Sequence, residues 1–364
     1  MNILVDGHVF DDKYQGTRSY LKGLYLALIP ICKDWNFFIA ASNIDNLKKE
    51  FGEFDNLQFV PLKRSNKFHR LIVDFPSIIR RYDIDYSHFQ YTIPPIIRGK
   101  YIVTVHDILF EQKEFKSFFP LKTRIINHFL HKLSSRKADV LLTVSEFSKQ
   151  KILEFYKINA EDIFVTPNAV NDDFYLENES YVETPSKYIM YVSRIEPRKN
   201  HLSLLQAFTE LKLFNKGYKL VYIGKRDISY PEFENYINSN KELIGDSLIC
   251  IENVATNDLI KYYKNCDLFV FPSFAEGFGI PPLEAMVLEK KVLCSNRTAM
   301  TDFDLPNEFL FDPYNLDELK SKIINQLNSN FNLAEIYSPI LSKYNWPTIA
   351  EHFKKIIDSH HKNQ

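Results

Sequence analysis

The sequence predicts an α/β protein built from two similar halves, each a parallel sheet covered on both faces by helices. Three observations predict it. Short continuous apolar runs such as NILVD (2–6), YIVTV (101–105) and KYIMYV (187–192) have strand length and no alternation, the mark of strands buried on both faces. They alternate with stretches of helical spacing, as crossovers between parallel strands require. One polar, aperiodic stretch, NDDFYLENESYVETPS (171–186), interrupts the alternation and reads as a linker between domains at 1–170 and 171–344.

In the first half, strands are expected at 2–6, 36–41, 57–62, 101–105, 139–144 and 163–166. Helices are expected from about Thr17 and at 68–81, 117–137 and 146–156. In the second half, strands fall at 187–192, 218–223, 248–252, 267–272 and 291–294, and helices at 200–214, 231–243, 256–264, 280–289 and 315–328. The end of the chain, 345–361, reads as an amphipathic helix with Ile349, Phe353, Ile356 and Ile357 on one side. It follows a completed sheet, so it is expected to bury that side across the domain boundary. No short-period repeat or low-complexity segment appears.

A chain of 364 residues is long for one core, and its 30 Phe and 21 Tyr supply ample apolar volume. A net charge of −1 excludes a nucleic-acid-binding polycation. The charge is uneven, however: 24 Lys+Arg against 19 Asp+Glu in 1–170, and 21 against 27 in 171–364. The cysteines Cys32, Cys250, Cys266 and Cys294 form no CxxC pair and read as reduced thiols, with Cys250 and Cys294 buried in strands. The start, MNILVDGHVF, has no basic n-region. No apolar stretch reaches the ~20 residues of a membrane span. A cytoplasmic protein is expected, or one peripheral on the inner face of the membrane.

Chemistry gathers at two strand ends. The run DLFVFPS (267–273) passes into a turn with Gly277 and Gly279 and then into a helix begun by prolines, IPPLEAMVLEK. Strand, glycine turn and helix start present backbone N–H groups and a positive dipole end to an anion. Pro281 and Pro282 carry no N–H, so the amides on offer are those of Gly277, Phe278, Gly279 and Ile280. Glu276 and Glu284 bracket the turn, and a carboxylate suits a sugar or ribose diol; as a plain structural group, Glu284 only complements the helix dipole. The second cluster is SRIEPRKN (193–200), with Arg194, Arg198 and Lys199 at the end of the first strand of the second half. Alone it reads as a solvated loop. On the same sheet edge as the glycine turn, it suits a diphosphate.

These residues carry a resemblance. Glu276 and Glu284, with seven residues between them in EGFGIPPLEAM, resemble the E-x7-E signature of retaining nucleotide-sugar glycosyltransferases of glycosyltransferase family 4. SRIEPRKN resembles that family's phosphate-binding Arg-x4-Lys element, with Arg194 and Lys199 at the matching places. TVSEFSK (143–149) and TPNAV (166–170) resemble two further elements in order, the latter with Ala169 where Gly is usual. QGTRSY (15–20) resembles the glycine loop with a single Gly16, and TVHDILF (103–109) places His106 and Asp107 at a strand end. The resemblance covers nearly the whole chain and is strongest over 187–300.

It implies a GT-B fold, with two Rossmann-like domains facing a cleft and the terminal helix crossing back to the first. It implies a retaining, metal-independent hexosyltransferase of surface polysaccharide synthesis, acting on a glycan or lipid-linked acceptor. Glu276 would hold the donor sugar, Glu284 the ribose, Arg194 and Lys199 the diphosphate, and Val254 would lie near the base. His106 would approach the reacting carbon; its plainer reading is a buried cleft-wall histidine. Arg18 and Asp107 would lie on the acceptor side. No cofactor is expected beyond the donor, GDP-mannose by a loose similarity of DGHVF…QGTRSY, or else a UDP-hexose. A nucleotide-sugar-binding protein without catalysis is the alternative. A sugar-nucleotide epimerase lacks the glutamate pair in this form. A dinucleotide oxidoreductase fails because DGHVFDDKYQG is no GxGxxG.

The segment 117–137 carries Lys122, Arg124, Lys132, Arg136 and Lys137 beside an apolar stripe of Leu121, Ile125, Phe129 and Leu133. The stripe is expected to face the core and the charges water. The sharper reading is attachment to an anionic membrane surface, with KRSNKFHR (63–70) adding cations.

Overall fold

A computed structural model describes residues 1–11, 16–63, 66–95, 99–176 and 180–362. Part of the first polar loop, Arg64 and Ser65 of KRSNKFHR, and 177–179 of the linker lie outside the described residues. The chain divides into two compact units, Met1–Ala169 with Tyr344–Gln364, and Val170–Lys343.

The first unit holds β1 (Asn2–Asp6), β2 (Asn36–Ala41), β3 (Leu57–Pro61), β4 (Tyr86–Gln90), β5 (Lys100–Thr104), β6 (Val140–Thr143) and β7 (Ile163–Val165). They form one sheet in the order β3-β2-β1-β4-β5-β6-β7, with every pairing parallel. Leu4, Phe89, Val103 and Leu141 build the core on one face with Phe75, Ile152 and Tyr156 from helices. On the other face the helix Gly16–Ile31 buries Tyr20, Leu24 and Leu28 at four-residue spacing. The terminal helix Trp346–Lys362 buries Ile349, Phe353, Ile356 and Ile357. It packs along Gly16–Ile31 so closely that a Cβ on Gly23 would sit 2.0 Å from the Trp346 ring.

The strand β4 is a correction. YSHFQ breaks the apolar run with Ser87, His88 and Gln90, so no strand is expected there, yet it lies buried beside β1 in mid-sheet. Its polar groups are paired: His88 bonds Tyr25 and Thr104, and Gln90 bonds His88 and His106. Satisfied hydrogen bonds remove the burial penalty that the sequence pattern alone suggests. The expected helix at 68–81 contains a π-helical stretch, Arg70–Asp74. Ile44–Phe51 is a further, unexpected helix.

A second correction concerns the helix Leu121–Lys137. Its apolar stripe is not in the core: Leu121 and Phe129 are 63% and 67% exposed, and Ile125 and Leu133 are exposed too. The buried side is His131, Ser134 and Ser135. Ser134 Oγ accepts from the Ile93 N–H, and the His131 ring stacks on Tyr91 at 4.8 Å. Cys250 is likewise exposed, while Cys294 is buried.

The second unit holds β8 (Tyr188–Val192), β9 (Lys219–Ile223), β10 (Leu248–Ile251), β11 (Leu268–Phe271), β12 (Val292–Ser295) and β13 (Leu310–Phe311). The order is β10-β9-β8-β11-β12-β13, all parallel. β13 and the helix Leu333–Leu341 were not expected, being short or lying beyond the clear alternation. Each sheet reverses its strand order once, between β1 and β4 and between β8 and β11. Open parallel sheets bind ligands outside the carboxyl ends of the strands at such a point. Among the described residues no helix is long and apolar enough to cross a membrane.

Candidate functional site

In the second unit, β8 and β11 deliver the two clusters to one place. β8 runs into the loop 193–199, and β11 into Pro272–Glu276. Lys199 Nζ donates to both carboxylate oxygens of Glu276, at 2.6 and 2.8 Å. Arg198 lies 3.4 Å from the same carboxylate, donates to the Ala275 carbonyl at 2.6 Å and to Glu196 at 2.7 Å. The Glu276 N–H is held by Thr298 Oγ1 at 2.9 Å. Burial opposes ionisation of Glu276, but Lys199 and Arg198 more than offset it and hold its carboxyl below the usual range. Burial and then Arg198 lower Lys199. The pair is an ionised carboxylate and ammonium, almost withdrawn from water.

Arg194 stands apart, about half exposed, 3.5 Å from Asp227. The basic residue that touches Glu276 besides Lys199 is therefore Arg198, which sequence reasoning placed in the cluster and left out of the site. The missing signal was geometry: a loop of three 3-10 residues, Pro197–Lys199, turns Arg198 and Lys199 to the same partner.

Gly279 has φ of +123°, and a Cβ there would meet Met300 Cε at 2.2 Å. A glycine is required both by the backbone and by the packing beneath the turn. The helix Ile280–Val287 follows with no side-chain cap. Phe278 is buried against Phe303, so its ring belongs to the turn's underside. Gly277 and Ile280 complete the turn, and Val254 lies partly buried at the carboxyl edge beyond β10.

Glu284, one helical turn in, accepts from Tyr263 Oη at 2.7 Å. Burial raises its carboxyl to about 7, against the opposing effect of that hydrogen bond. The folded chain thus keeps a proton that the unfolded chain has lost. The stability this gives is full below the ordinary value of 4.5 and is lost as pH rises through about 7. The carboxylate form, the better diol acceptor, gains on the same rise. If a nucleoside diphosphate sets its ribose diol on Glu284, its affinity for the wild type is expected to increase more steeply between pH 6 and 8 than for Glu284→Gln, by up to about tenfold. Isothermal titration at a series of pH values checks it, the variant cancelling titration of the phosphate itself; parallel profiles would remove Glu284 from the site.

In the first unit, the ends of β1 and β4 open onto a pocket of about 420 Å³ lined by Asp6, His8, Lys67, Arg70, Asp107 and His131, among others. Arg70 comes from the π-helical stretch and lies 3.6 Å from Asp6, which also meets His8 at 2.8 Å. Burial pushes Asp6 up, but His8 and Arg70 prevail and hold it lowered. His131 Nδ1 is buried without a hydrogen-bond partner. Burial lowers this ring to about 3, with Lys67 adding to the effect, so it is neutral.

His106 is buried on the adjacent strand end. Its Nε2 bonds Gln90 Oε1 at 2.7 Å, and its carbonyl accepts from Ser148 Oγ at 2.9 Å. Ser145 caps the helix Glu146–Tyr156 that supplies Ser148, which accounts physically for the TVSEFSK stretch. Burial lowers His106 to about 3, so it offers a neutral imidazole. A consistent set of tautomers runs from His106 Nε2–H to Gln90, from Gln90 to His88, and from His88 to Tyr25.

Arg18 is placed differently from expectation. It donates to Glu50 at 2.8 Å, where Lys22 also binds, and stacks on Phe10; it does not line the pocket. Gly16 begins its helix with open space around it, and its neighbour Thr17 lines the pocket. Asp107 caps the next turn through Leu109 N–H at 3.2 Å.

The chain resembles known proteins along most of its length. Residues 36–174 match the model described as Glycosyltransferase Family 4, and residues 176–339 the one described as Glycosyl transferases group 1. The serotype-specific mannosyltransferase WbdA of Escherichia coli is 26% identical over 249 residues, 64% of this chain. The chain spans only about a third of that relative, 31% of its length. The O-antigen chain mannosyltransferase B of Escherichia coli is 28% identical over 264 residues, 68% of this chain and 67% of that one. A glycosyltransferase from Rickettsia africae superposes over 100% of this chain and 99% of its own with a TM-score of 0.73 at 20% identity, a likeness of fold. Two parallel sheets of seven and six strands in one chain, and two family matches that follow one another from residue 36 to residue 339, make this protein a GT-B member of the group 1, or family 4, glycosyltransferases.

Proposed function

We propose that the protein transfers a hexose, mannose in the first instance, from a nucleoside diphosphate sugar to a glycan or lipid-linked glycan in surface polysaccharide synthesis. The observation that carries the reading is the Glu276–Lys199 pair at the strand reversal of the second sheet. The names of the two mannosyltransferase relatives support the choice of sugar.

The donor's hydroxyls would donate to the Glu276 carboxylate, which Lys199 and Arg198 already hold in its ionised form. The diphosphate would draw on Lys199 and on Arg194, whose exposed side chain can swing. Glu284 would take the ribose diol. In the transfer, the bond from sugar C1 to the β-phosphate oxygen breaks with oxocarbenium character, and positive side chains stabilise the departing diphosphate. The acceptor hydroxyl attacks C1 on the same face and gives its proton to the leaving phosphate oxygen. Stereochemistry is retained, and fixed cations do what a metal ion does elsewhere. The pocket at β1 and β4, with Lys67 and Arg70 beside Asp6 and Asp107, suits an acceptor bearing both hydroxyls and negative charge.

A thermal-shift screen of GDP-, UDP- and dTDP-sugars, with and without EDTA, tests the reading. GDP-mannose at 100 times its dissociation constant is expected to add roughly 2.7 kcal/mol of stability, undiminished by the chelator. Transfer to a mannosylated lipid acceptor then separates an enzyme from a binding protein. A shift with UDP-hexose alone would replace the donor, and no shift with any sugar nucleotide would overturn the proposal.

A further inference from the structure

Two segments of the first unit that border one pocket turn apolar side chains to solvent. One is the helix Leu121–Lys137, whose stripe of Leu121, Ile125, Ile126, Phe129 and Leu133 is exposed while its serines are buried. The other is 67–74, where Phe68, Ile72 and Val73 are exposed. Lys67 and Arg70 of one segment and Asn127 and His131 of the other line the same pocket, so the two segments border one opening. Exposed apolar groups gathered in this way mark a contact surface.

The charge around the patch says with what. The helix carries Lys122, Arg124, Lys132, Arg136 and Lys137 and no acidic residue. A two-fold contact between copies of the chain would set these cations against their own symmetry mates. We propose that this face docks on an anionic lipid bilayer, with Leu121, Ile125, Phe129 and Phe68 at the acyl boundary and the lysines among the headgroups. An inverted helix is then explained: its polar side packs on the protein because its apolar side has another solvent. The inference goes beyond the transfer reaction and does not depend on it, since binding is read without turnover.

Flotation of the full chain with vesicles of phosphatidylcholine, and of an equimolar mixture with phosphatidylglycerol, tests it. The protein is expected to float with the mixed vesicles, and less at high salt. Leu121→Gln/Ile125→Gln/Phe129→Gln, which alters only exposed positions, is expected to cut partitioning at least about tenfold with an unchanged circular dichroism spectrum. Lys122→Glu/Lys132→Glu is expected to lose the preference for the anionic mixture. The proposal is overturned if the wild type floats with neither vesicle, if it binds both equally, or if the triple variant floats as well as the wild type. It is also overturned if light scattering finds a dimer that the triple variant dissociates.

Discussion

Glu276→Gln is expected to keep its fold and lose transfer by about 10²–10³-fold in kcat/KM, the scale of removing one well-placed polar group from a buried site. The choice of glutamine matters. Glu276 neutralises Lys199, and their side chains are only 10% and 14% exposed. Alanine would leave an ammonium without a partner, at a cost of about 3–5 kcal/mol. Lost activity in Glu276→Ala would then report instability as much as chemistry. Glutamine keeps the volume and an oxygen to accept from Lys199 Nζ, but presents no negative charge to the hydroxyls of the proposed donor sugar. Steady-state kinetics beside circular dichroism and a melting curve separate the two effects. Wild-type turnover in the glutamine variant would refute the assignment of Glu276 to the donor sugar.

Gly224→Ala is expected to destabilise the second unit by roughly 3 kcal/mol, a drop of about 5–10 °C in its unfolding midpoint. Gly224 follows β9 with φ of +155°, and a Cβ there would lie 2.0 Å from the Ser193 carbonyl oxygen. The obstacle is backbone, held by hydrogen bonds from Ser193 N–H to Ile223 and from Ile195 N–H to Lys225, so it cannot rotate away as a side chain would. The displaced segment is the start of the loop that carries Arg198 and Lys199. The variant should therefore also weaken donor binding, though residue 224 has no side chain in the site. Gly217→Ala is the control. Its φ is +80° with nothing within 4 Å, and it should cost only the left-handed backbone term of about 1 kcal/mol. Equal melting temperatures for the two variants would show that the close approach at Ser193 carries no weight.

That Glu276 and Lys199 share one sheet edge was legible in the sequence. Glu276 and Lys199 sit 77 positions apart, yet each lies just beyond an apolar run, and two adjacent parallel strands bring their ends to one edge. What could not be read was the pairing inside the cluster. Arg194 and Arg198 have the same chemistry, and only the 3-10 turn at Pro197–Lys199 decides that Arg198 faces Glu276 while Arg194 faces Asp227. Arg18 shows the same limit: its type and place suited the acceptor side, and its observed partner Glu50 comes from a neighbouring helix.

By itself, the sequence determined the class of fold, the two halves and which charged residues stand at the strand ends, because those depend on local runs: apolar length, helical spacing, glycine and proline in a turn. Only the tertiary structure decided which polar groups are inside and which apolar ones are not. His88 and Gln90 enter mid-sheet because a chain of hydrogen bonds from Tyr25 to His106 pays their desolvation. The helix Leu121–Lys137 faces its apolar stripe outward because His131 and Ser134 find ring and backbone partners within the unit. Periodicity records where side chains lie around an axis; the partners that make one side the inside come from residues distant in sequence.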